Sequence, residues 1–145
     1  ACSTVTSMAE VIAEPNRLNE LVQTNVYRDC SAKTRLVISG IPFIKKADTL
    51  DKKAVTMLEK SMRVLESRST DEAITVVGWT DAEGDSVYNK RVALSRAQAV
   101  KDYFVSQGID ERRINVLGAG ESDKFSNESE AGRRLNRRVD VILGR

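Results

Sequence analysis

Asp81 and Arg96 are the two residues whose types and spacing could do chemistry together. Val76-Val77-Gly78-Trp79-Thr80-Asp81-Ala82-Glu83-Gly84 is an apolar run that ends in a glycine, an aromatic residue and Thr-Asp before a turn glycine. It reads as a strand that leaves the core and delivers the Asp81 carboxylate to a rim. Arg96 follows on a charged helix expected from Tyr88 or Asn89 to Gln107. There it stands one position off the apolar stripe of Ala93, Ala97, Val100 and Phe104. A carboxylate and a guanidinium on separate elements can pair with each other, or they can hold a zwitterion between them. The first outcome is a structural ion pair, or an Asx-turn at Asp81. The second is a binding site, and the N–H groups of the turn and of the helix start would favour an anion there. Spacing alone leaves both open. Trp79 stands two positions before Asp81, so strand alternation places its ring on the same face, beside the site.

Several other chemistries are excluded or weakened. The chain has no histidine, which removes imidazole bases and the usual imidazole metal ligands. Cys2 and Cys30 are too few for a zinc site and are not a C-x-x-C pair, and their spacing leaves a disulfide open. Asp81-x-Glu83-x-Asp85 suggests calcium, but an EF-hand loop needs glycine sixth and glutamate twelfth. Here Gly84 is fourth and Val92 twelfth. No metal and no cofactor are expected. Gly118-Ala119-Gly120 opens like a dinucleotide fingerprint, yet Asp123 stands where the third glycine belongs, so a turn is expected. Arg133, Arg134, Arg137 and Arg138 form a basic cluster diluted by Glu128, Glu130 and Asp140. With a net charge of +2 over 145 residues, no nucleic-acid partner is expected. No pair of acids with matched roles is visible for glycoside hydrolysis, and no catalytic residue is assigned.

The elements that must position these residues follow from periodicity. Residues 1–33 read as a helical extension or linker. Ser7 caps a helix with Met8, Val11 and Ile12 on one side, and Pro15 opens a second piece whose stripe is Leu18, Leu21, Val22 and Val26. Residues 34–145 read as one domain. Arg35–Phe43 is β-branched and apolar, hence a strand, and Pro42 argues against full pairing of its last part. Asp48 is the expected N-cap of a helix over Leu50–Glu66 with Ala54, Leu58, Met62 and Leu65 on its core face. Ala73–Trp79, Ile114–Leu117 and Val139–Leu143 are expected strands, and Gly108 is the expected left-handed residue that ends the long helix. Glu121–Asn136 is polar and irregular, with room for a short helical turn. The β-α-β-α-β-(loop)-β order predicts an α/β (α+β) fold with parallel neighbours and helices on one sheet. No apolar run is long enough to span a bilayer. The chain opens on Ala1 rather than methionine, as expected of an excised fragment or a processed form.

The assembled motifs resemble a known family. Gly78-Trp79-Thr80-Asp81-Ala82-Glu83-Gly84, Tyr88-Asn89, Leu94-Ser95-Arg96-Ala97-x-x-Val100, Gly108-Ile109, Gly118-x-Gly120-Glu121 and Gly132-Arg133-x-x-Asn136-Arg137-Arg138-Val139 are similar in order and spacing to the OmpA-like (OmpA/Pal/MotB) peptidoglycan-binding domain. The resemblance covers roughly Val37 to Leu143. It implies a mixed sheet with helices on one face and a periplasmic location. It also implies non-covalent, non-catalytic binding of peptidoglycan at the diaminopimelate of its stem peptide. By analogy Asp81 takes the ligand's ammonium and Arg96 its carboxylate, with Thr80, Asn89 and Arg137 as secondary contacts. On that reading Arg96→Leu removes binding and leaves the fold intact. Two places depart from the family pattern: Trp79 replaces a usual His or Tyr, and Ile44, Lys45 and Lys46 replace a first loop that favours Asp or Asn. The extension fits a MotB-like stator or a secretion-energising protein better than an outer-membrane barrel or a lipoprotein. The implied partners are peptidoglycan and a parent membrane complex, with a homodimer left open. The alternative class is a protein–protein or dimerisation domain that has lost wall binding. In an oxidising periplasm Cys2 and Cys30 are expected to be bridged.

Overall fold

The computed structural model describes residues 5–6, 25–29 and 35–144. The elements are strand β1 (Val5–Thr6), β2 (Asn25–Asp29) and β3 (Arg35–Pro42), then helix α1 (Lys52–Glu66) and β4 (Ile74–Thr80). Helix α2 (Ser86–Ser106), β5 (Ile114–Glu121), helix α3 (Glu130–Asn136) and β6 (Arg138–Leu143) complete the chain. The strands form one mixed sheet in the order β1-β2-β3-β6-β4-β5. Among the described residues the only parallel pairing is β4 with β5, the two neighbouring strands joined by the crossover helix α2. The last strand, β6, inserts antiparallel between β3 and β4. The expected α+β architecture is therefore present, with parallel pairing confined to one pair.

The core follows from alternation. Leu36 and Ile38 of β3, Ile74 and Val76 of β4, and Val139, Val141 and Leu143 of β6 point to one face. Ala54, Leu58 and Leu65 of α1 and Ala97, Val100 and Phe104 of α2 close over them in the same cluster, so both helices cover that face. The core stripes expected for both helices are the ones buried, with Met62 packed at the margin.

Several boundaries differ from expectation for local reasons. Asp51, not Asp48, caps α1: its side chain accepts the N–H of Ala54 at 2.8 Å. Asp85 caps α2 by accepting the N–H of Tyr88 at 3.1 Å, so the helix begins two residues before Tyr88. Gly108 is left-handed, with φ of 99°, as expected of the residue that ends α2. Gly118-Ala119-Gly120 is not a turn. β5 runs through it, and a register shift opposite Gly78 and Trp79 absorbs the irregularity. Val26 belongs to β2, where it pairs with Ile38, rather than to a helix. The sheet therefore reaches into residues 1–33, while the helices expected around Met8–Val22 and the Cys2–Cys30 pairing fall outside the described residues.

Two glycines set the position of α2. A Cβ on Gly78 would lie 1.8 Å from the carbonyl oxygen of Ala93, and one on Gly118 would lie 2.7 Å from the backbone nitrogen of Leu94. Helix α2 thus rests directly on β4 and β5. That close approach fixes the height of Arg96 above the end of β4.

Candidate binding cleft

The end of β4, the first loop (residues 43–48), the first turns of α2 and the α3–β6 junction meet around a cavity of about 220 Å³. Thr80, Asp81, Asn89, Arg96 and Arg137 all line it, so the five residues singled out from sequence share one cleft. Lys45 and Lys46 stand with them on the side of the first loop.

Asp81 lies just beyond β4 and is 5% exposed. Its Oδ1 accepts the Glu83 N–H at 3.0 Å, an Asx-turn. Its Oδ2 accepts from Arg137 Nη1 at 2.7 Å. The ion pair of Asp81 is therefore with Arg137, 56 residues away, and not with Arg96.

Arg96 is 1% exposed. Its Nε donates to the Ala47 carbonyl at 2.8 Å, Nη1 to the Trp79 carbonyl at 3.0 Å and Nη2 to the Ile44 carbonyl at 3.0 Å. The guanidinium also lies 5.3 Å from the centre of the Phe43 ring. No carboxylate stands within ion-pair distance of it among the described residues. Burial, and then the neighbouring Arg137 charge, push its pKa down to about 10 against the pull of Asp81 and Asp48. It remains a cation at neutral pH. A guanidinium has five N–H donors, and these three bonds leave two, one on each terminal nitrogen.

The remaining residues build the frame. The Thr80 hydroxyl donates to the Asp81 carbonyl at 2.8 Å, so it shapes the turn. The Asn89 amide donates to the Glu83 carbonyl at 2.9 Å and to Glu121 Oε2 at 3.0 Å, leaving its own carbonyl oxygen as what it can offer a ligand. Arg137 also donates from Nη2 to Glu130 Oε2 at 2.7 Å, while its buried Nε has no partner. Burial opposes the Arg137 charge, but the bonds to Glu130 and Asp81 outweigh it and raise the pKa. Glu130 is in turn held below the usual carboxylate range, first by its hydrogen bond from Arg137. Asn136, fully buried, fastens the loop before α3: its amide donates to the Phe125 carbonyl at 2.9 Å and its Oδ1 accepts the Phe125 N–H at 3.1 Å. Arg138 belongs to the far side, bound to Asp140 at 3.1 Å and to the Ser122 hydroxyl at 3.0 Å.

Trp79 is not beside the cleft. Its ring lies on the helix-free face with Val37, Val77 and Asp140, under the Arg138 guanidinium at 5.2 Å. Alternation stops at Thr80, where β4 ends, so the Asp81 turn does not share the face of Trp79. Trp79 reaches the site only through its carbonyl. Sequence reasoning missed this carbonyl and those of Ile44 and Ala47, for which side-chain identity carries no signal. It also missed Glu130, two residues before the Gly132-Arg133 motif.

The profile of the OmpA family matches residues 43–138. The chain belongs to the OmpA family. The matched span runs from Phe43, beneath Arg96, to Arg138, and contains every cleft residue named above. Outer membrane protein A of Bordetella avium is 42% identical over 80 residues, which is 54% of this chain and 41% of that protein, so this chain spans less than half of that relative. A putative MotB-like protein from Desulfovibrio vulgaris superposes with a TM-score of 0.70 at 27% identity, covering 84% of this chain and 78% of the other. The cell wall anchor of the type VI secretion system from Pseudomonas aeruginosa gives a TM-score of 0.72 at 20% identity, covering 94% of this chain and 96% of that one. Within this OmpA-family fold the cleft holds a buried cation, Arg96, with no carboxylate within ion-pair distance among the described residues, beside a buried carboxylate, Asp81, that Arg137 pairs.

Proposed function

We propose that this OmpA-family domain binds peptidoglycan non-covalently and without catalysis, gripping the diaminopimelate of the stem peptide as a zwitterion. Asp81 receives the ammonium and Arg96 the carboxylate. Thr80 shapes the turn, Asn89 offers its carbonyl oxygen, and Arg137 holds Asp81 in place. The observation that carries this reading is Arg96, buried to 1% exposure at the cleft with no carboxylate within ion-pair distance among the described residues. Carbonyl dipoles satisfy three of its N–H groups but do not cancel its charge. A carboxylate entering the cleft can therefore take the two remaining N–H groups as a charge-assisted pair.

The setting proposed is the periplasm of a Gram-negative cell, with the domain holding a membrane-anchored assembly to the wall. Residues 1–33, which contribute β1 and β2 to the sheet of domain 34–145, would lead toward its anchor, in a parent of the MotB-like, stator type. The likeness to a MotB-like protein and to a cell wall anchor supports this setting. Co-sedimentation with purified peptidoglycan tests the function. The wild type should pellet with the wall, and Asp81→Asn, which keeps the shape of the side chain but not its charge, should remain in the supernatant. Equal pelleting of both folded proteins would sink the site assignment. Absence of the wild type from the pellet would favour a protein–protein module instead.

A further inference from the structure

The first loop holds a cation that the proposed grip leaves unused. Ile44 to Ala47 is a tight turn closed by the Ala47 N–H on the Ile44 carbonyl at 2.9 Å, with Lys45 and Lys46 at its centre. Lys46 has a φ of 61°, and among the described residues no other non-glycine has a positive φ. A turn with positive φ at its third position ordinarily takes Gly or Asn, because a Cβ there meets the following carbonyl. This chain keeps a lysine. A backbone held in an unfavourable region by its surroundings points to a use for the side chain it carries.

What holds the turn is Arg96. Its guanidinium donates to the Ile44 and Ala47 carbonyls, one on each side of the lysine pair. The backbone that carries Lys46 is thereby fixed relative to the guanidinium proposed to meet the ligand. The two lysines are not equivalent. Lys45 is paired with Glu83 at 3.1 Å, whereas Lys46 makes no ion pair among the described residues. Both line the cleft. The cleft thus presents two cations without a carboxylate partner: Arg96 in its floor and Lys46, exposed, at its mouth.

We infer that Lys46 is a specificity-determining residue that receives a second carboxylate, so that the cleft selects a ligand carrying one zwitterionic centre and one further free carboxylate. This rests on the zwitterion reading of the Asp81–Arg96 pair. A stem peptide meets the requirement while its other carboxylates are free, and loses it when they are amidated.

The test compares two probes by calorimetric titration: a diaminopimelate tripeptide with all carboxylates free, and the same peptide amidated except at the zwitterionic centre. Lys46→Gln removes the charge and retains the backbone demand. Lys46→Gly removes both. The wild type should prefer the free acid by about two- to fivefold, the range of a solvent-exposed ion pair. Both variants should bind the two probes equally, at the affinity of the wild type for the amidated one. The preference should fade with added salt. Lys46→Gly should melt no lower than the wild type, since glycine suits the turn. A Lys46→Gln variant that keeps the wild-type preference overturns the inference and leaves the proposed function standing. A wild type that binds neither probe overturns both.

Discussion

Arg96→Leu should damage this domain twice, and the structure lets the two effects be sized separately. The substitution leaves the carbonyls of Trp79, Ile44 and Ala47 without their charged donor. A hydrogen bond to a charged group contributes about 1.5–3 kcal/mol, and a stranded buried acceptor costs about 1–3 kcal/mol. The three do not add in full. Ile44 is 60% exposed, so the loop carbonyls can turn toward water, whereas the Trp79 carbonyl is held in β4. A loss of about 2–4 kcal/mol is expected, which for a domain of this size lowers the melting temperature by roughly 6–20 °C. The fold is therefore not spared, contrary to the expectation from sequence that Arg96→Leu leaves it intact. Binding should fall by about ten- to over a hundredfold through the lost carboxylate contact. Arg96→Lys separates the two effects. An ammonium can still donate to nearby carbonyls, so roughly half the stability should return, but it cannot form the bidentate pair, so binding should recover little. Thermal unfolding by circular dichroism gives the first quantity. Peptidoglycan co-sedimentation, run well below the lowest melting temperature, gives the second. If Arg96→Leu melts within about 2 °C of the wild type, the tethering argument is wrong. If its folded form binds normally, the carboxylate assignment is wrong.

Other outcomes follow from the same geometry. Gly78→Ala would place a Cβ 1.8 Å from the Ala93 carbonyl oxygen and push α2 off the sheet. It should cost about 3 kcal/mol in urea unfolding, the upper part of the range for overpacking, and a near-neutral result would contradict the close approach. Trp79 fluorescence should stay nearly constant when a muropeptide binds, because the ring lies under Arg138 on the helix-free face; a large shift in emission would put the indole in the cleft. Glu130 has a folded pKa depressed chiefly by Arg137. Its contribution to stability is complete above the ordinary carboxylate pKa of the unfolded chain and is lost as pH falls through the lower folded value. Glu130→Gln should therefore flatten the acid limb of the stability–pH curve, lowering stability at neutral pH and changing little at the acid end, where Glu130 is already protonated. An unchanged acid limb would argue against the Arg137–Glu130 bond in solution.

Much of this protein is legible along the chain because the signals are local. The core stripes of α1 and α2 follow the helical period. The apolar alternation of β4 and β6 marks the face that meets them. The caps were less legible: Asp51 rather than the expected Asp48 caps α1, and Asp85 starts α2 before the expected Tyr88, each accepting the N–H three residues on. The convergence of Asp81 and Arg96 also follows from order alone, since a strand end and the flank of the next helix must meet across a short connection. Tertiary structure decided the partners. Asp81 is neutralised by Arg137 because β6, last in the chain, inserts beside β4 and brings a residue 56 positions away into contact. Arg96 is held by three carbonyls, and every residue carries a carbonyl, so no side-chain pattern could mark those of Ile44, Ala47 and Trp79. Trp79 was misplaced because alternation holds only while the strand lasts, and β4 ends between it and Asp81. Periodicity is a property of neighbouring residues. Which charge meets which depends on the order of strands in the sheet, and that order is settled by packing the whole chain at once.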